Sequence, residues 1–145
     1  MLTRGTVEAL IKMHLAGRAA EHVALGEVSN GAGGGPQSDL ALATDLALRA
    51  EVDYGLGHDL IWQPAETAHR LMPDNLRRRV GDRLLRSERA AWRDLEARRT
   101  DLDRIAQALL EKRELKGGDL HSLLDPVLTP KKTAKESSRP LETAS

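Results

Sequence analysis

The sequence predicts an all-α fold of about five helices: two helices joined by a glycine-rich loop, followed by a long antiparallel helical hairpin. Three observations predict it. Apolar residues recur at intervals of three and four along most of the chain, and no run of convincing length alternates as a strand does. Phe is absent and the aromatics are Tyr54, Trp62 and Trp92 alone, which leaves Leu and Ala to build the core. Glycine and proline gather at a few points and cut the periodic segments apart.

Each element has its own warrant. Val7, Leu10, Ile11, Leu15, Ala19 and Val23 form one apolar stripe, so residues 6–25 read as a helix that Gly26 stops. Residues 27–37 hold four glycines and a proline and read as a flexible connecting loop. Ser38 then offers an N-cap, and Asp39 a first-turn carboxylate that suits the helix dipole. The second helix runs to about Tyr54, with Leu40, Ala43, Ala47 and Ala50 on a face that lets a neighbouring helix approach closely. Residues 56–72 look irregular, with Trp62 as an anchor onto the core. Pro73 and Asp74 open a third helix along Leu76, Val80, Leu84, Ala91 and Leu95, with Leu85 and Trp92 beside them. Gly81 inside it costs ~1 kcal/mol without forbidding it. Arg98 to Thr100 read as a turn, Asp101 and Asp103 open a fourth helix with Leu102, Ile105, Leu109 and Leu110, and Gly117-Gly118 stops it. Asp119 caps a short last helix carrying Leu120, Leu123 and Leu124, and residues 126–145 have the composition of a disordered tail.

Composition excludes several classes of function. Lys+Arg and Asp+Glu number 22 each, so net charge favours neither nucleic acid nor a membrane surface. The longest stretch without a charged residue is Val28 to Ser38, far short of the ~20 apolar residues of a membrane-spanning helix. Nothing at the N-terminus reads as a signal peptide. No cysteine is present, which removes disulfides, thiolate zinc sites and a cysteine nucleophile. The even balance conceals an asymmetry: residues 1–60 are acidic on balance and residues 74–116 basic. Arg77 to Arg79 and Arg83, Arg86, Arg89 and Arg93 interleave with Asp82, Glu88, Asp94 and Glu96, the pattern of a solvated helix face with i,i+4 pairs. With almost no aromatic stacking partners, that face does not predict nucleic-acid binding.

No catalytic set is visible from residue chemistry alone. The histidines are His14, His22, His58, His69 and His121, and no pair has the His-Glu-x-x-His spacing of a zinc helix. His14 and His22 share a face but stand about 12 Å apart by helical rise, too far to ligate one zinc. They read as packed or surface histidines. There is no phosphate-binding Gly-x-x-x-x-Gly-Lys pattern and no nucleophile elbow.

One set of blocks says more. Leu15-Ala16-Gly17-Arg18-Ala19-Ala20-Glu21 precedes Gly26-Glu27-Val28-Ser29 and Gly31-Ala32, then Ser38-Asp39-Leu40, Ala43-Thr44-Asp45-Leu46-Ala47 and Tyr54-Gly55. Further on come Ile105 to Lys112 and Glu114-Leu115-Lys116-Gly117-Gly118-Asp119-Leu120. The order and spacing resemble the C-terminal part of the peptidase domain of the FtsH family, membrane-anchored ATP-dependent AAA+ zinc metalloproteases. The likeness covers residues ~6–125: a zinc-ligand region over 6–60 and a helical hairpin over 73–125.

The resemblance implies a role for two residues. Asp39 occupies the position of the family's third zinc ligand, whose other two protein ligands are histidines of a His-Glu-x-x-His helix. Read without the resemblance, Asp39 is a first-turn helix carboxylate. Glu21 matches a family glutamate near the catalytic helix, where it would support the site without binding metal; burial or helix-surface pairing is the alternative for that residue. His22 stands where the family has a second glutamate, and Gly-Gly-Pro-Gln lengthens the loop before Asp39. The zinc helix, ATPase module and membrane segment have no counterpart in the sequence.

The chain is therefore expected to be a fragment or truncated homologue of such a protease, inactive alone. Zinc would bind in the complete enzyme and not tightly to this chain, and ATP would act only through the missing module. Protein substrates, a homo-hexamer and a cytoplasmic location are implied in the same way. The alternative is a non-catalytic helical protein-interaction module derived from that fold. Truncation further predicts that the apolar face of the first helix, deprived of upstream helices, lies open.

Overall fold

The computed structural model describes residues 1–128. Every regular element among them is a helix: α1 (Arg4–Leu25), α2 (Asp39–Val52), α3 (Ala65–Arg70), α4 (Asp74–Glu96), α5 (Arg99–Lys112) and α6 (Gly117–Leu128). The first three positions of the expected tail close α6, and its remainder, 129–145, lies outside the described residues. The chain divides into two compact units, Met1–Arg99 and Thr100 onward.

The first unit is built around α1. Thr3 caps it by accepting from the Thr6 N–H at 3.1 Å. Gly26 ends it in the left-handed region, φ 77°, with its N–H bonded to the His22 carbonyl. Val7, Ile11, Leu15, Ala19 and Val23, one residue per turn, are all buried. The stripe packs against α2 and α4, and α2 in turn against α4 and α3. The apolar face expected to lie open is thus covered by the chain's own later helices; on α1, Met13 and Leu25 are the large apolar residues left exposed. Helix α2 presents Ala43, Ala47, Leu48, Ala50 and Val52 to this core. Its alanines allow close approach of the neighbouring backbones. Leu40, expected on the same face, remains partly exposed because it sits on the first turn, at the edge of the packing.

Helix α3, a single turn and a half after Pro64, was not expected, and it buries Ala65 and Ala68. Trp62 does not anchor onto the core. It is 71% exposed, its indole N–H donating to Asp53 Oδ1 at 3.1 Å. Two backbone bonds, Leu56 N–H to Ala50 O and Gln63 N–H to Val52 O, hold the intervening segment against the end of α2 with the indole outward.

Helix α4 corrects the reading of two of its arginines, Arg79 and Arg83, while Arg77, Arg78, Arg86, Arg89 and Arg93 are exposed as expected. Leu76, Val80 and Ala91 are buried as expected, but so are Arg83 and Ser87, which continue the same stripe. Arg83 reaches across to Glu8 on α1 and, at 2.7 Å, to Glu51 Oε1 on α2. Arg79 Nε donates to Glu51 Oε2 at 3.1 Å, and its Nη2 lies 3.5 Å from Asp59 Oδ2. Ser87 donates to Glu8 at 3.3 Å. At the other end Arg18 and Lys12 of α1 pair with Glu88 and Asp94 of α4. These charges bridge helices rather than decorating one face with i,i+4 pairs. Gly57 allows the following loop to close over Glu51, since a Cβ there would lie 2.7 Å from the Glu51 Cα. The His58 N–H then donates to Glu51 at 3.4 Å.

Helix α5 starts at Arg99, the last residue of the first unit, so the turn before it falls at residues 97–98, earlier than expected. Arg113 in the left-handed region, φ 60°, ends α5. Gly117, expected to stop α5, instead begins α6, and Asp119 lies in the first turn of α6, paired with Lys112 at 2.8 Å. No residue of α5 is fully buried.

Candidate functional site

Asp39 is positioned by three local devices. Ser38 caps α2, its Oγ accepting from the Ala41 N–H at 3.3 Å, so Asp39 is the first helical residue. The Leu40 N–H donates to the Ala32 carbonyl at 2.9 Å, which ties the loop to the helix start. On α1, His14 meets the carboxylate: Nδ1 and Asp39 Oδ1 lie 3.0 Å apart. A carboxylate only accepts, so the bond is made by the Nδ1–H form of the imidazole. The His14 side chain is 20% exposed and that of Asp39 58%. The ring is thereby held by packing while the carboxylate projects from the surface.

Glu21 governs the loop itself. Its two oxygens accept from the Ser29 N–H and Ser29 Oγ, each at 2.9 Å, and Ser29 Oγ accepts in turn from the Gly31 N–H at 3.0 Å. Those bonds from the Ser29 backbone and hydroxyl hold the Glu21 carboxyl below its ordinary range. Turns closed by Gly33 N–H to Asn30 O and Ser38 N–H to Gly35 O carry the chain to the cap. The glycine-rich segment, expected as a flexible connector, is cross-braced from Glu21 to Ser38. Gly34 takes φ 101°, a conformation suited to glycine.

The other histidines lie elsewhere. His22 packs edge-on to Trp92 with ring centroids 6.2 Å apart. His58 bonds Asp59 at 2.9 Å, and His69 lies 3.4 Å from Asp45. Sequence reasoning separated His14 from Asp39, and nothing in a spacing of 25 residues signals that they meet.

The residues fit one part of a zinc centre and not the whole. A catalytic zinc takes three protein ligands and keeps a fourth position for water. Asp39 is an exposed carboxylate of the correct type, with one oxygen bonded to His14. Among the described residues no group of three or more histidines and carboxylates is placed to hold a metal ion. Nor is any described helix long and apolar enough to cross a membrane.

Comparison with known proteins gives this arrangement a context. The sequence matches Peptidase family M41 over residues 1–123. It is 42% identical over 121 residues to the ATP-dependent zinc metalloprotease FtsH 1 of Symbiobacterium thermophilum, covering 80% of this chain and 19% of that protein. It is 33% identical over 141 residues to the ATP-dependent zinc metalloprotease FtsH of Rhodothermus marinus, covering 83% and 19%. Against the enzyme of the same name from Acidothermus cellulolyticus the identity is 31% over 149 residues, covering 89% and 21%. The chain thus spans about a fifth of the length of these relatives. With the match running through Glu21, Ser38 and Asp39 and on into α6, the chain belongs to peptidase family M41.

Proposed function

We propose that the chain acts in ATP-dependent proteolysis as the part of an FtsH-type peptidase domain that supplies Asp39 as one zinc ligand. The observation that carries this reading is the exposed Asp39 carboxylate, set on the first turn of α2 and held by the half-enclosed ring of His14. Family membership and the resemblance of the Ser38-Asp39-Leu40 block support it. Zinc, when bound in the whole enzyme, supplies an activated water with pKa near ~7 for attack on a peptide carbonyl. The chain's own residues supply position and charge. Ser38 fixes the helix start, His14 turns the carboxylate, and Glu21 braces the loop that leads to it. Protein substrates, a hexameric assembly, a cytoplasmic location and dependence on ATP through a separate module belong to the same proposal, and the relatives' names support the zinc and the ATP.

Calorimetric titration of the 145-residue chain with zinc tests the incompleteness of the ligand set. One carboxylate and one neighbouring imidazole are expected to give a Kd of about 10 μM or weaker. Tight one-to-one binding, in the nanomolar range of complete sites, would contradict the proposal.

A further inference from the structure

A cleft of about 270 Å³ opens between the start of α1, the turn at residues 57–59 and the middle of α4. It is separate from the Asp39 region: its floor residue Glu51 stands twelve positions further along α2, about 18 Å by helical rise. The charged residues lining it are Arg4, Arg79, Arg83, Arg86, Glu51 and Asp82, with Glu8 and Asp59 paired to Arg83 and Arg79 beside it.

Those four guanidinium groups differ in how their donors are used. Arg79 and Arg83 are engaged by Glu51, Glu8 and Asp59. The Arg83 side chain is only 7% exposed, yet its Nε is a buried donor with no acceptor among the described residues. Arg4 donates once, from Nη2 to the Gly57 carbonyl at 3.3 Å. Arg86 makes no hydrogen bond or ion pair to any described residue, nor does Asp82. Two exposed guanidinium forks with open donors therefore border one cleft, beside the buried Arg83, whose Nε alone among its donors has no partner. Such forks match the oxygens of a phosphate or carboxylate, and two of them together match a double charge.

We propose that this cleft binds a doubly charged oxyanion of the phosphate type, held between Arg4 and Arg86. The inference is independent of any metal at Asp39.

The test is thermal unfolding of the full chain with inorganic phosphate, acetate or chloride at equal ionic strength and neutral pH. Phosphate is expected to raise the midpoint, with the rise setting in near a Kd of about 1 mM and growing with the logarithm of concentration above it, and acetate to leave it at the chloride value. Arg86→Gln and Arg4→Gln should each move the phosphate concentration at which the rise sets in about tenfold higher, the loss of one charge-assisted contact. Both residues are exposed, so their midpoints in chloride should match the parent, which separates lost binding from lost folding. A rise that persists unchanged in both variants would be general salting-out and would overturn the proposal. A response absent in the parent, or equal in acetate, would overturn it as well.

Discussion

Arg83→Met is expected to destabilise the Met1–Arg99 unit by about 3–5 kcal/mol, because it leaves Glu51 buried without its principal partner. For a unit of this size that lowers the unfolding midpoint by roughly 15 °C or more. Adding Glu51→Gln should recover part of the loss by removing the stranded charge. The same pair predicts the response to acid. Burial alone would raise the Glu51 carboxyl, but the Arg83 guanidinium, the His58 N–H and Arg79 outweigh it and hold the group below its ordinary 4.5. A carboxyl lowered in the folded state stabilises above its unfolded value and ceases to do so as pH falls through the folded value. Stability of the parent should therefore fall below pH 4.5, and the Arg83→Met/Glu51→Gln double variant should lose less over that interval. Urea unfolding at neutral and acid pH measures both effects. A loss below about 1 kcal/mol for Arg83→Met would mean that water screens the network as it does a surface pair.

Ile11→Ala is expected to cost about 3–4 kcal/mol, towards the upper part of the range for such truncations. Ile11 is fully buried in α1, and the α2 side of the cluster around it includes Ala43, Ala47 and Ala50. Alanines cannot swing into a vacated space, and their backbones are fixed in α2, so the cavity persists. Ile11→Val removes one methylene and should cost about 1 kcal/mol. Denaturant midpoints with an unchanged m-value would confirm the effect as one of packing. Equal losses for the two variants would show that the core collapses around the site.

How much of this was legible in the sequence depends on the range of the interaction. The stripe of α1, the Ser38 cap, the small face of α2 and the start of α4 at Pro73-Asp74 follow from local periodicity and capping chemistry, and each appears where expected. Helix α3 is too short to show a period. The course of Arg83 and Ser87 into the core was available in part, since both lie at helical spacing from Val80 and Ala91. Read as a member of an arginine run, Arg83 looks solvated, because Glu8 and Glu51, which neutralise that face, come from other helices. The same limit applies to the site. Asp39 and Glu21 are singled out by the family resemblance alone, whereas His14 joins Asp39 only through the packing of α1 on α2. The bracing of the loop by Glu21 and Ser29 likewise needs the fold, as a glycine-rich run by itself reads as slack chain.

The proposed role of Asp39 is to complete a zinc site whose other ligands lie in the remainder of an FtsH-type enzyme. The direct measurement replaces the matching segment of the Symbiobacterium thermophilum relative with residues 1–123 of this chain and determines bound zinc per subunit, with and without Asp39→Asn. About one zinc per subunit is expected in the chimera, and a loss of at least about tenfold in zinc affinity in the Asn variant, with the helical content unchanged. Full zinc retention by a folded Asp39→Asn chimera would contradict it and would leave Asp39 as the first-turn carboxylate of α2 and nothing more.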